Sequence, residues 1–404
     1  MANAQQASRL FPDLIKNGAR AMRFCSVFFG IMMLGASPLT AQNETPPAAV
    51  KVSFDGDHIA TVAIQGLSNR ETGRALMADD PVRIASISKL FVSLAVMRLT
   101  EKKLLKLDAD VSDYLGWQLR NANYPDIPIT LRQLLSHQSG LRDGINYALP
   151  MDVKLENELK DPRAWDADHP PGQYFTYSNL NFPVIAAVME AATGKRFDQI
   201  MKEELFDPLA LDACFNWTLC SDQKIMAAVT LYRANGDVAR DDLRGIREAC
   251  SVVPESNGGC DLRNYQLGKT GSIFSPQGGL RISARDLAKA GQMFLLNDGS
   301  FLSPASIATM THPAWQYDGT NGNSEDGYFC AYGLAVHILA APGRRASCKD
   351  DPFGDGEMRF GHSGEAYALK SGLWINPARE QGTAFYRTQV PENDPAGHCI
   401  YFCE

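Results

Sequence analysis

Apolar and polar positions divide the chain into three stretches. From Val50 to Asn69 they alternate, which predicts two strands, VKVSF and IATVAI, joined by a turn at Asp55-Gly56. From Val82 the spacing becomes helical. In VRIASISKLFVSLAVMRL, residues Leu90, Phe91, Leu94, Ala95 and Leu99 make one broad apolar face, so a helix starts at about Ile87. More helices follow. TLRQLLSH opens on Thr130 as N-cap, residues 181–193 end at Gly194, and Phe197 to Leu211 is interrupted near Pro208. Ser283 caps a helix reaching about Leu296, and Ser303-Pro304 starts a short one. From Tyr328 strands return as YFCAYGLAVHIL, MRFGHSG, ALKSGLWI and GTAFYRTQ, the last three separated by short turns. Strands, then helices, then strands predict an α+β fold. Its antiparallel sheet is built from the N- and C-terminal strands, with helices packed on it and a mostly helical region inserted.

Between these elements, Leu104 to Tyr114 reads as a surface connection. Residues 142–172, with Pro150, Pro162, Pro170 and Pro171, read as a long loop of the kind that walls a cleft. Residues 212–275 are the least regular and carry four cysteines, an excursion from the domain. The N-terminus has the layout of a secretory signal over residues 1–41. Arg20 and Arg23 precede an apolar run from Phe24 to Leu34, and small residues end at Ala41. Met22 followed by Arg23 would open a more ordinary signal, so translation is expected to start there. The run is about eleven residues, too short to span a bilayer. Residues 42–49 read as a disordered leader, 50–390 as the domain and 391–404 as a tail.

The chain of 404 residues carries a net charge of −7, and removing residues 1–41 makes the remainder more acidic still. No long basic run survives, which argues against nucleic acid or anionic membrane as partner. Periplasmic or secreted placement follows from the signal, and it suits the cysteines. Setting Cys25 aside leaves eight, an even number, falling as Cys214/Cys220, Cys250/Cys260, Cys330/Cys348 and Cys399/Cys403. Pairing of neighbours is the simplest of many connectivities. The metal alternative finds no Cys-x-x-Cys and no His-x-x-x-His to support it.

The candidate chemistry begins at Ser86 and Lys89. Three apart, they share one face of the first turn of the helix. A lysine there can take the serine proton if burial depresses its pKa. Ser-x-x-Lys alone recurs by chance roughly once in a few hundred residues. The chain has a second copy, Ser221 to Lys224, which follows two cysteines and precedes no long apolar helix. Tyr177 opens the only Tyr-x-Asn, directly before a helix. A phenol held beside ammonium groups would have a depressed pKa and could shuttle protons, and Asn179 could hold both the lysine and a substrate carbonyl. His137 could be imagined as a base, but the plainer reading is a histidine that closes a helix and bonds backbone.

With these residues the chain resembles the serine β-lactamase and penicillin-binding-protein superfamily. Its likeness is to the branch of class C β-lactamases, D-alanyl-D-alanine peptidases, D-aminopeptidases and related esterases. Ser86-Ile87-Ser88-Lys89 matches the first motif, Tyr177-Ser178-Asn179 the second and His362-Ser363-Gly364 the third. LLSHQSGL, PGQYFTYSNLNF and GGLRISARDLAK also fit, over about residues 50–389. Lys269-Thr270-Gly271 matches the third motif by letters but has no strand around it, so Lys269 is read as a surface lysine. The resemblance implies Ser86 as acylated nucleophile, with Lys89 as base or as the group that sets the protonation of Tyr177. It implies that Asn179 positions the substrate, and that His362 and Ser363 line the opposite wall and help protonate the leaving group. Gly364 belongs to the same motif, and the backbone N–H groups of Ser86 and Glu365 would form the oxyanion hole. No cofactor or metal is implied, and the substrate is a small amide, ester or β-lactam. Histidine in place of the usual lysine weakens the case for a dedicated β-lactamase. The family's usual C-terminal helix is not evident in the sequence. The alternative is a non-catalytic relative that binds cell-wall fragments or a protein partner.

Overall fold

The computed structural model describes residues 46–391. Alternation in VKVSF becomes the strand Ala49–Phe54, with Val50, Val52 and Phe54 buried and Lys51 and Ser53 half-buried. Its neighbour Ile59–Gln65 follows a turn in which the Asp55 carboxylate accepts the N–H groups of Asp57 and His58, each at 2.8 Å. On the other side Ala49–Phe54 pairs with Gln381–Arg387, Val52 facing Ala384. The sheet continues through Leu369–Asn376, Arg359–Ala366, His337–Leu339 and Ala331–Tyr332 to Trp315–Gln316. These eight strands pair antiparallel throughout, and both ends of the described chain enter the sheet. The α+β expectation holds.

YFCAYGLAVHIL is not one strand, however. The chain reverses at Gly333–Val336, where the Gly333 N–H donates to the Val336 carbonyl at 2.7 Å, and splits into Ala331–Tyr332 and His337–Leu339. A side chain at Gly333 would lie 2.1 Å from the Met310 carbonyl oxygen. The leader expected over 42–49 is also shorter. The Thr388 N–H donates to the Ala48 carbonyl at 2.9 Å and the Ala48 N–H to Thr388 Oγ1 at 3.1 Å, and Ala49 is already strand. The expected signal, Cys25, the Cys399/Cys403 pair, the tail and the matter of a C-terminal helix lie outside the described residues.

The helix Ala284–Leu296 starts at Ser283, whose hydroxyl accepts the Asp286 N–H at 3.0 Å. It lies across Ala49–Phe54, Leu369–Asn376 and Gln381–Arg387. Gly291 sits at the closest approach, where a Cβ would stand 2.3 Å from the Phe54 ring and 3.1 Å from Leu373. In an open helix alanine is better than glycine by about 1 kcal/mol. Here the sign inverts: Gly291→Ala is expected to destabilise by about 1–3 kcal/mol through overpacking, read by urea unfolding. A gain in stability would show that this helix can lift off the sheet.

The helix Ile87–Glu101 departs from the single apolar face expected of it. Every residue from Ile87 to Met97 is buried, including Ser88, Lys89 and Ser93. It is the central helix of the molecule, enclosed on all sides. The short strand before it, Val82–Arg83, pairs with Leu280–Ile282, which also pairs with Cys214–Phe215. The helix Asn181–Thr193 ends at Gly194 in a left-handed cap, φ 68°. Phe197–Met201 runs on as a π-turn over Lys202–Phe206, so the predicted interruption near Pro208 is preceded by a widened turn.

Residues 212–275 are irregular, as expected, and are stapled by Cys214–Cys220 and Cys250–Cys260; Cys330–Cys348 closes a third loop. Three of the four neighbour pairings are therefore present. Ser221 merely caps a short helix, accepting the Lys224 N–H at 3.2 Å, and Lys224 Nζ reaches the Asp79 carbonyl. Lys269 is exposed on a loop. Among the described residues, no helix is long and apolar enough to cross a membrane.

Candidate active site

The backbone delivers Ser86 through a strained turn. Ala85 adopts φ 50°, a left-handed conformation that costs a non-glycine residue roughly 1–2 kcal/mol. Its carbonyl is held by the Ser88 N–H at 3.0 Å and the Ser88 hydroxyl at 2.6 Å. Ser86 then sits at the N-cap of the central helix, yet its side chain makes no capping bond. Its hydroxyl is left for Lys89, whose Nζ lies 2.9 Å away.

Lys89 is fully buried, and three oxygens surround its amine: Ser86 Oγ, Asn179 Oδ1 at 2.8 Å and the Gln277 carbonyl at 3.0 Å. Burial pulls its pKa down to about 7, with Asp143 opposing. In the neutral form two amine hydrogens serve Asn179 and Gln277, and the lone pair accepts the Ser86 hydroxyl proton.

Asp143 is the functional residue that sequence reading missed. Its carboxylate accepts the Ser178 hydroxyl at 2.9 Å, the Asn179 N–H at 3.0 Å, the Asn179 amide at 2.8 Å and the Leu180 N–H at 2.9 Å. It thus closes the start of the helix Asn181–Thr193 and turns the Asn179 carbonyl toward Lys89. The one local hint is the following Gly144, where a Cβ would stand 1.9 Å from the Arg163 carbonyl. Asp143→Ala is expected to lower kcat/KM by about 10-fold to 100-fold, since it frees Asn179. It also removes the group that raises the Lys89 pKa, so the acid limb of the pH–rate profile moves to lower pH. An unmoved limb would separate Asp143 from Lys89.

Tyr177 stacks between Phe329, at 5.0 Å and 12°, and His137, at 4.4 Å, and it shares a side-chain hydrogen bond with Ser86. Its expected acidity is corrected by the structure. Burial raises its pKa far above the ordinary tyrosine value, so it stands as a neutral phenol. His137 is no base either. Nδ1 accepts the Ser178 N–H at 3.0 Å and lies 3.0 Å from the Asn181 amide, and burial keeps the ring neutral.

The third motif lies on Arg359–Ala366. A Cβ at Gly364 would meet the Ile84 carbonyl at 2.1 Å, which explains a glycine there: the strand passes flush against the turn that presents Ser86. The Ser363 hydroxyl shares a hydrogen with Tyr328 at 2.7 Å, and burial pushes the Tyr328 phenol up to about 12. His362 is fully buried. Nε2 faces the Tyr332 hydroxyl at 2.8 Å and Nδ1 faces the Ser363 carbonyl. Burial, with Lys89 nearby, lowers its pKa to about 3. It is neutral, and its two ring nitrogens are spent on Tyr332 and Ser363. Glu365 follows on the same strand with its side chain exposed. The structure therefore gathers Ser86, Lys89, Tyr177 and Asn179 around one amine and brings the third motif against the same turn.

A sequence model of the Beta-lactamase family matches residues 36–402. Esterase EstB of Burkholderia gladioli is 33% identical over 252 residues, 58% of this chain and 62% of that protein. Penicillin-binding protein 4 of Amycolatopsis lactamdurans is 29% identical over 183 residues, 43% of this chain and 45% of that one. These matches span about half the length of the curated relatives. A class C β-lactamase from Rhodobacter sphaeroides shares the fold at TM-score 0.62 and 18% identity, over 86% of this chain and 91% of its own. With this match lying over the observed sheet, helices and motif residues, the chain belongs to the Beta-lactamase family.

Proposed function

We propose that the protein is an exported serine hydrolase that cleaves a small ester or amide through an acyl-enzyme on Ser86. The observation that carries this is the buried Lys89 amine, 2.9 Å from Ser86 Oγ and poised near pH 7. Ser86 Oγ attacks the substrate carbonyl carbon while its proton passes to Lys89 Nζ. Backbone N–H groups of Ser86 and Glu365 hold the resulting oxyanion. When the tetrahedral intermediate collapses, the bond to the leaving group breaks. That group takes the proton from Lys89, directly or through the neutral Tyr177 hydroxyl. Water then attacks the acyl-enzyme by the same relay run again, and Ser86 is restored.

The neutral His362 offers no charge to a substrate carboxylate, which weakens the case for a dedicated β-lactamase and leaves esterase, peptidase and aminopeptidase chemistry open. Three disulfides suit a periplasmic or secreted protein. The test is intact-mass spectrometry of the protein after exposure to a penicillin and, separately, to a p-nitrophenyl ester. An adduct on the wild type and none on Ser86→Ala is the expected result with the penicillin, alongside nitrophenol release from the ester. No adduct, no penicillin consumed and no nitrophenol released would overturn the hydrolase reading.

A further inference from the structure

Arg83 stands three residues before Ser86, on the strand Val82–Arg83. Val82 and Ile84 enter the core, so alternation sends Arg83 to the other face. Its residue is 7% exposed. Nε is both buried and unpartnered. A buried guanidinium nitrogen without a hydrogen-bond partner is costly, and such groups are ordinarily paired. The carboxylate it feels, Asp241, spends Oδ1 on Arg281 Nη2 at 2.8 Å and Trp217 Nε1 at 3.0 Å, while its buried Oδ2 makes no hydrogen bond. Two guanidiniums therefore share one carboxylate. Burial and the neighbouring Arg281 lower the Arg83 pKa to about 10, which leaves it charged at neutral pH.

What surrounds Arg83 points to the active site. Tyr367, at the turn after Arg359–Ala366, has its ring 5.0 Å from the Arg83 guanidinium and 5.9 Å from that of Arg240. Tyr147, half-buried, lies close enough to feel Arg83 and Tyr367 as well as Asp143, the residue that holds Asn179. On that strand Ser363, bonded to Tyr328, stands two residues before Glu365, and Tyr367 follows two residues after it. Leaving-group protonation belongs to the end where Tyr177 and Tyr328 stand. Arg83 stands beside Tyr367, past Glu365 from Ser363, on the side along which the acyl part of a substrate would extend.

We propose that Arg83 is a specificity-determining residue that receives a carboxylate on the acyl part of the substrate. A carboxylate matches the planar fork of arginine, and the Tyr147 and Tyr367 hydroxyls could add to it. The charge that the third motif lacks is then supplied from the strand before the nucleophile. This inference rests on the hydrolase reading, and the experiment separates the two.

The measurement is the ratio of kcat/KM for two esters of matched length, the p-nitrophenyl monoester of glutaric acid and p-nitrophenyl valerate. The wild type is expected to prefer the charged ester by about 10-fold to 100-fold, and Arg83→Gln to abolish that preference. Arg83→Lys, which keeps the charge without the fork, should keep only part of it. No preference in the wild type, or an equal preference in Arg83→Gln, overturns the inference while leaving the hydrolase reading intact. If Arg83→Gln does not fold, the wild type decides: inhibition of valerate hydrolysis by glutarate but not by glutaramide supports the inference, and equal inhibition or none overturns it. If neither ester is turned over, the rate ratio is lost, and the hydrolase reading fails only when the penicillin also gives no adduct and is not consumed. Calorimetric binding of glutarate to the wild type and to Arg83→Lys then decides: tight binding weakened in the variant supports an anion site, and no binding or unchanged binding overturns it.

Discussion

Lys89→Met should lower kcat/KM by about 10²–10⁴-fold and erase the acid limb of the pH–rate profile. The argument is one of proton supply. A base must be neutral to act, and an ordinary lysine at pH 7 is neutral in roughly one molecule in three thousand. Burial lowers the Lys89 pKa to about 7, so close to half the molecules carry the free amine at neutral pH. Wild-type kcat/KM should therefore rise with pH through about 7 and level off above it. The sign follows from the chemistry, because the ammonium form has no lone pair for the Ser86 proton. Methionine fills a similar volume but accepts no proton, so the residual rate should no longer follow that ionisation. Circular dichroism melts run alongside would show that the loss is chemical. A wild-type limb near 10, or a methionine variant within tenfold of wild type, would remove Lys89 from the role of base.

Ser86→Ala should cost more, about 10⁴–10⁶-fold in kcat, because it removes the covalent route altogether. It should also cost almost nothing in stability. Serine at an N-cap commonly contributes about 1 kcal/mol through its side chain. Ser86 makes no such bond, and its φ of −66° is one alanine adopts freely. A large activity loss with an unchanged melting midpoint is the signature of a hydroxyl kept for chemistry. A variant that hydrolyses esters at more than a few per cent of the wild-type rate would place the nucleophile elsewhere.

The first strand was legible in the sequence because it alternates against one buried face, as Val50, Val52 and Phe54 show, and the later ones because short turns separate apolar runs. The first motif was legible because Ser86 and Lys89 are neighbours on one helical turn. Asp143 was not, because its four bonds go to residues 35 to 37 positions away, a distance no local pattern encodes. The all-round burial of the central helix was hidden for the opposite reason. Ser88, Lys89 and Ser93 read as a polar side, yet Ser88 caps the strained Ala85 carbonyl and receives the Leu280 N–H at 3.1 Å. The Tyr177 acidity was misread because a lysine is a cation in a sequence but close to a neutral amine in this interior. Gly333 was passed over because an apolar run of twelve residues looks continuous until the Met310 carbonyl is seen against it.

Ala49–Phe54 lies between Ile59–Gln65, its neighbour in sequence, and Gln381–Arg387, near the far end of the chain. The contact between Ala48 and Thr388 spans 340 positions. Synthesis runs from the N-terminus at about 5–20 residues per second, so the first strand waits roughly 17–70 s for the last. Throughout that interval the hairpin of Ala49–Phe54 and Ile59–Gln65 has an open edge beside an apolar face, a template for the wrong partner. The chain therefore cannot mature piecemeal as it emerges. Its sheet closes only after residues 381–387 have been made, and until then the open hairpin edge is a risk that a neighbouring copy could exploit.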